Sequence, residues 1–171
     1  MKKLFCLLLV AIMSLSAFAF AENKIYPGEG FSFEYPATWT PVDEATAKAS
    51  GLDVAFMLSD AASNINVAHQ DIGMALTTEM FESLVLPTVV AQLKNTYTGY
   101  TEVEKESPVT YGDNTYAVIA FTIKVYGVDV YMEMYYTMVD TSMYVFTGTY
   151  LQADNEYAPE LEIALSTFAV Q

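Results

Sequence analysis

The sequence predicts an α+β domain in which an antiparallel β-sheet is flanked by helices on both faces, an α/β/α sandwich. Three observations lead there. Residues 115–151 hold three strand-patterned runs joined by links too short for anything but hairpins. Two other segments space apolar side chains at helical intervals. Both faces of the alternating runs carry apolar or aromatic side chains, so neither suits water and each needs a cover. A chain of 171 residues, 53% apolar and 14% aromatic, has the material for one ordered domain and argues against a disordered or multi-domain protein.

The elements follow in order. Residues 1–21 are set apart: Lys2 and Lys3 precede the apolar run 4–15, and Ala19-Phe20-Ala21 has the small-x-small form of a cleavage site. This reads as a secretory signal peptide, and the run falls short of the ~20 apolar residues of a membrane span. Cys6 sits inside the apolar run with Phe5 before it, unlike a lipid-attachment cysteine. Residues 22–171 then form a single domain. Residues 25–27 and 31–35 read as strands about the turn Gly28-Glu29-Gly30. Residues 36–41 carry the chain round, with Trp39 capping the core, and 43–50 form a short helical turn ended by Gly51. Strands over 54–58 and 65–72 make a hairpin about the turn-rich 59–64. Thr77 and Thr78 can cap the main helix, whose stripe is Met80, Phe81, Leu84, Val85, Val89 and Leu93, bent or split at Pro87. Strands follow over 101–110, 115–125, 128–139 and 143–151, the last three as an antiparallel meander. A helix near 156–168, with Pro159 in its first turn, buries Leu161, Ala164, Leu165 and Phe168.

Charge and composition exclude several functions. The chain carries 21 acidic residues against 7 basic ones, a net charge of −14, and every basic residue is lysine. Loss of Lys2 and Lys3 with the leader makes the balance more negative. Such a surface repels phosphate backbones and anionic headgroups, and it lacks the guanidinium fork that reads them. No nucleic-acid partner and no transmembrane segment are expected. The single cysteine lies in the leader, so the remaining domain has no disulfide, thiol nucleophile or thiolate metal site.

The short turns set the register of the meander if Val125 faces Val128 and Val139 faces Ser142. One face then holds Ile119, Phe121, Ile123, Val130, Met132, Met134, Met138, Met143, Val145 and Leu151, which reads as the core. The other carries Tyr116, Val118, Ala120, Tyr131, Glu133, Tyr135, Tyr144, Phe146, Gly148 and Tyr150. In the same register Lys124 and Asp129 pair across the first turn. The methionines read as core filling rather than a soft-metal site.

The run Gly30-Phe31-Ser32-Phe33-Glu34-Tyr35-Pro36-Ala37-Thr38-Trp39 resembles the opening strand of the PsbP/DcrB-like domains, which ends in Tyr-Pro-x-x-Trp. The meander over 114–151 and a terminal helix ending Ser166-Thr167-Phe168 are similar to that family as well. The resemblance spans most of 30–168. It implies an antiparallel sheet sandwiched by helices, and roles as assembly or stabilising subunits, envelope lipoproteins or protein-binding modules rather than a reaction. The matching positions build strand, turn and core, so no functional residue carries over, and the acylated cysteine of the lipoprotein members has no counterpart.

Candidate sites come from the residues themselves. His69, the sole histidine, and Asp71 share a strand face and could orient a base or supply two metal ligands. The sequence has no G-x-S-x-G elbow and no H-E-x-x-H. Glu102, Glu104 and Glu106 alternate on a strand, either as ligands for a hard cation such as calcium or as charges that blunt a sheet edge. Asp113-Asn114 reads as a hairpin turn. Glu133 falls between Ala120 and Gly148, whose small side chains leave a depression, and among Tyr131, Tyr135, Phe146 and Tyr150. A carboxylate ringed by tyrosines can seat an organic cation or a partner's basic side chain, or be satisfied internally by tyrosine hydroxyls or Lys124. The expectation is a secreted or envelope-located, non-enzymatic accessory or protein-interaction domain without a cofactor. The alternative is a small-ligand or cation-binding protein using the Glu133 depression.

Overall fold

A computed structural model describes residues 22–151 and 157–171. The signal-peptide reading, and the start of the terminal helix at Glu156, lie outside the described residues. Asn23–Pro27 (β1) and Phe31–Pro36 (β2) pair antiparallel about the glycine turn, and the C-terminal Ala169–Val170 (β11) joins the far side of β2, giving a sheet of order β1-β2-β11. The larger sheet contains Thr40–Pro41 (β3), Val54–Met57 (β4), Asn64–Asp71 (β5), Thr101–Val103 (β6), Asn114–Val125 (β8), Val128–Val139 (β9) and Ser142–Tyr150 (β10). Its order is β3-β4-β5-β10-β9-β8-β6, with Val109–Tyr111 (β7) pairing β8 beside β6. All strand pairings among the described residues are antiparallel, and with four helices beside them the domain is mixed α+β.

Two helices start at side-chain caps. Glu44–Ala49 (α1) is capped by the Asp43 carboxylate, which accepts from the Thr46 amide at 3.1 Å. Thr77 does the same for Thr78–Leu84 (α2), accepting from the Met80 amide at 3.2 Å. Pro87, in the first turn of Leu86–Thr96 (α3), splits the main helix in two instead of bending one. The split redirects the stripe. Phe81 and Leu86 are buried, while Met80 and Leu84, expected to be inside, are 44% and 68% exposed. The terminal helix Ala158–Thr167 (α4) buries Leu161, Ala164 and Leu165 as its spacing requires.

The meander register is the one its turns dictate, with Val125 opposite Val128, Lys124 opposite Asp129 and Val139 opposite Ser142. Tyr126 and Gly127 both have positive φ, as a primed two-residue hairpin turn demands. Alternate residues of β8–β10 therefore enter two apolar clusters. One joins Ile119, Phe121, Ile123 and Val130 to Phe81 and Leu86, with Met132, Met134, Met138 and Met143 only partly buried around them. The other joins Tyr116, Tyr131, Tyr135, Phe146 and Tyr150 to Phe31 and Phe33 of β2, Trp39, and Leu161, Leu165 and Phe168 of the terminal segment.

The balance between the faces corrects the sequence reading. The aromatic face holds the larger and drier cluster, and its cover includes the three-stranded sheet as well as α4 residues. Phe146 packs edge-on to Phe33 and Phe168 at centroid separations of 5.5 and 5.3 Å, geometry favoured by the ring quadrupoles. Leu151, assigned to the methionine face, follows the last residue of β10 and is 46% exposed. The strand expected over 101–110 is two short strands, β6 and β7, because the chain leaves the ladder over residues 104–108, where Pro108 has no amide to donate.

Candidate functional site

The interruption between β6 and β7 builds the site. β6 pairs with residues 120–122 of β8 and β7 with 114–116, so five residues of the outer chain span only three of β8. The slack turns Lys105 inward across the sheet edge. Ser107 closes the gap behind it, its hydroxyl accepting from the Val118 amide at 2.9 Å and donating to the Glu82 carboxylate. A groove of about 360 Å³ remains at this edge, lined by Glu102, Val103, Glu104, Lys105, Val118 and Ala120 among others.

Glu133 lies where the register places it, opposite both Ala120 and Gly148, and its side chain is 0% exposed. The Lys105 ammonium donates to it at 2.6 Å and to the Tyr135 hydroxyl at 3.1 Å. The hydroxyls of Tyr131, Tyr135 and Tyr150 donate to the same carboxylate at 3.3, 3.4 and 3.3 Å. Phe146 is not a member of this polar ring but lies in the aromatic cluster beside it. The expected depression is filled. A Cβ on Gly148 would lie 2.2 Å from the Tyr150 hydroxyl oxygen, so that phenol occupies the space the glycine leaves. The seat of a cation on Glu133 is taken by the chain's own Lys105, the tyrosine hydroxyls act as the internal reading of Glu133 expects, and Lys124 pairs with Asp129 instead, at 2.7 Å.

The electrostatics follow from burial beside the Glu133 carboxylate. Burial works against the Lys105 ammonium, but the hydrogen bond and charge of Glu133 outweigh it and hold its pKa above the ordinary lysine value. Burial, then the Glu133 carboxylate, pushes the Tyr131 phenol up to about 12, and the same causes raise Tyr135. Lys105, with a side chain 33% exposed, is the network's link to solvent.

The other candidates separate. His69 does not work with Asp71. Its ring Nδ1 lies 2.9 Å from the Asp53 carboxylate, which also accepts from the His69 amide at 2.7 Å, while Asp71 accepts from the Gly73 amide. The His69 ring stacks on Tyr144. Glu102 pairs with Lys94 at 2.9 Å, and Glu104 and Glu106 fall in the irregular stretch, so the alternation that would align three carboxylates is lost. Among the described residues no group of three or more His, Cys, Asp or Glu is placed to hold a metal ion. Asp113 belongs to the β7–β8 turn, and Asn114 donates to the Phe168 carbonyl at 2.8 Å. Sequence reasoning missed Lys105 and Asp53. Lys105 carried one usable signal, a lone lysine among three glutamates and three residues before Pro108.

No family model matches the chain, and no curated protein matches it. Solved structures do. A protein from Bacteroides thetaiotaomicron superposes with a TM-score of 0.58 at 15% identity over 88% of this chain, which spans 48% of that protein, about half its length. Cyanobacterial PsbP (CyanoP) from Synechocystis gives a TM-score of 0.58 at 18% identity, with 91% of this chain and 96% of that one covered. LpqN, involved in cell envelope biogenesis of Mycobacterium tuberculosis, gives 0.52 at 14% identity, with 88% and 91% covered. No helix among the described residues is long and apolar enough to cross a membrane. With the opening strand, meander and terminal helix in the order the resemblance implies, the chain has the PsbP-like fold.

Proposed function

We propose that this protein is a non-enzymatic accessory domain that acts outside the cytoplasm by binding another protein. The observation that carries the reading is the commitment of its chemistry-bearing side chains to one another: Glu133 to Lys105 and three tyrosines, His69 to Asp53. Groups held this way specify and stiffen a core. The leader-like residues 1–21 support export, as does likeness to LpqN, a protein of cell envelope biogenesis. The sandwich with helices on both faces belongs to this reading, and the two apolar clusters, one including α2 and α3 residues and the other α4 residues, support it.

The test is zero-length carbodiimide crosslinking in the cells that make the protein, which joins its many carboxylates to amines of whatever it touches. The expected result is a discrete adduct with one other protein. Monomer alone, together with turnover of an ester, peptide or glycan substrate by the purified protein that is lost in His69→Gln, would refute the reading.

A further inference from the structure

A second concavity lies away from Glu133, where the β1–β2 hairpin meets α1 and β4. It is a cleft of about 460 Å³, lined by Tyr26, Tyr35 and Phe56 as rings and by Glu29, Glu44, Lys48 and Asp53 as charges. That volume suits a side chain or small ligand. The rings form a continuous wall: Tyr35 lies 4.6 Å from Phe56, and Tyr26 6.3 Å from it, centroid to centroid. Gly28, in the turn above, permits this. A Cβ there would lie 2.9 Å from the Tyr26 ring and 2.8 Å from the Phe31 ring, so a larger residue would push Tyr26 off the wall.

The charges are unequal. Lys48 is the only cation on the lining, and it pairs with Glu44 at 2.8 Å within exposed α1. Asp53 is held at one end by His69, and its carbonyl accepts from the Tyr26 hydroxyl at 3.2 Å. Glu29 takes part in none of the ion pairs among the described residues. Besides burial, Asp53, Glu44 and Glu29 all push the Tyr26 phenol up while Lys48 alone opposes them, so the field at the mouth is negative.

We infer that this cleft seats the cationic side chain of a protein partner, an arginine or lysine whose charged head meets Glu29 and Glu44 and whose stem lies on the Tyr26 and Tyr35 rings. Carboxylates beside aromatic faces recognise organic cations by charge and by the ring quadrupole together. The inference rests on the accessory, protein-binding reading above and adds the chemistry of the partner.

The test titrates the purified protein with three probes, followed by calorimetry and by NMR of the tyrosine rings. They are a short arginine peptide with neutral flanks, the same peptide with citrulline in place of arginine, and tetramethylammonium chloride. The arginine peptide is expected to bind, the citrulline peptide at least tenfold more weakly, and Glu29→Gln/Glu44→Gln to lose at least tenfold. The surface control Asp129→Asn leaves binding unchanged. No shift of Tyr26 or Tyr35 with any probe, or equal loss in the control, overturns the inference. Tetramethylammonium binding as tightly as the arginine peptide overturns the assignment to a partner side chain and makes the cleft a small-cation site. A crosslinked partner mapped away from Glu29 and Glu44 defeats this inference and leaves the protein-binding reading standing. A peptide-binding cleft with no protein adduct in cells defeats the reading instead.

Discussion

Replacing Lys105 by methionine should be far more damaging than replacing Glu133 by glutamine, although the two residues share one ion pair. Methionine keeps the aliphatic stem of Lys105 but takes the ammonium away from the Glu133 carboxylate, which is 0% exposed and keeps the hydroxyls of Tyr131, Tyr135 and Tyr150 at 3.3–3.4 Å. Removing one partner of a buried pair costs about 3–5 kcal/mol. Lys105 is a third exposed, so solvent already screens part of the interaction and the lower end applies, ~3 kcal/mol. For a domain of this size each kcal/mol moves the melting midpoint by ~2–4 °C, so Lys105→Met should melt roughly 6–12 °C below the parent. Glu133→Gln keeps the shape and lets the tyrosines bond to an amide while Lys105 turns to water, which should cost only ~1–2 kcal/mol.

A double-mutant cycle separates this account from simple loss of packing. Where Glu133 is already glutamine no buried carboxylate loses its ammonium, so Lys105→Met should cost far less in that background than in the parent. Calorimetry or guanidinium titration of both single variants and the double variant reads this directly. A Lys105→Met deficit below ~1 kcal/mol, or one as large beside Glu133→Gln as in the parent, would refute the reasoning.

Three further outcomes are expected. Lys105 and Tyr131 both hold their protons more tightly in the fold than in the unfolded chain, so the stability they add is complete below about pH 10 and drains away as pH rises towards 12; guanidinium midpoints from pH 9 to 12 should show it, with a shallower decline in Glu133→Gln. Gly112→Ala should cost more than ~2 kcal/mol, because φ there is +57° and the new Cβ would lie 2.1 Å from the Ser166 carbonyl oxygen, a contact that shifts the β7–β8 turn against α4; a midpoint within error of the parent refutes it. The Lys124–Asp129 pair is exposed at both ends and should contribute under ~1 kcal/mol in a double-mutant cycle, vanishing in 1 M salt.

The meander was legible because two-residue turns leave the parity of a strand no freedom. Once Tyr126-Gly127 sets Val125 against Val128, every side chain from Tyr116 to Tyr150 is assigned a face, and Glu133 is placed between Ala120 and Gly148. Its partner was not legible. Lys105 reaches Glu133 only because residues 104–108 depart from the ladder, and nothing in the alternation of Glu102, Glu104 and Glu106 announces that departure. The same holds for Asp53 with His69, 16 residues apart, and for Trp39, whose indole donates to Glu160. Such pairs depend on how layers stack, which periodicity does not encode. The reversal of core and cover has a similar origin. Aromatic side chains on a strand signal that something must cover them, but the cover came from β2 and α4, at opposite ends of the chain.

The pairing of β5 with β10 bears on how the chain reaches this structure. β4–β5 and β8–β9–β10 are local hairpin units that can form on their own turns. The seam between them, Asp71 opposite Ser142, closes a loop of roughly 70 residues, and loop closure grows more costly by only ~0.6 kcal/mol per doubling of length but must be met before the seam returns any contact. The meander should therefore order first and present β10 as a template, with β5 and then β4 adding to it. Until they dock, the aromatic face of β10, with Tyr144, Phe146 and Tyr150, stands open at an unpaired edge. That interval is when aggregation competes with folding, and the dense acidic charge is then the protection the chain carries.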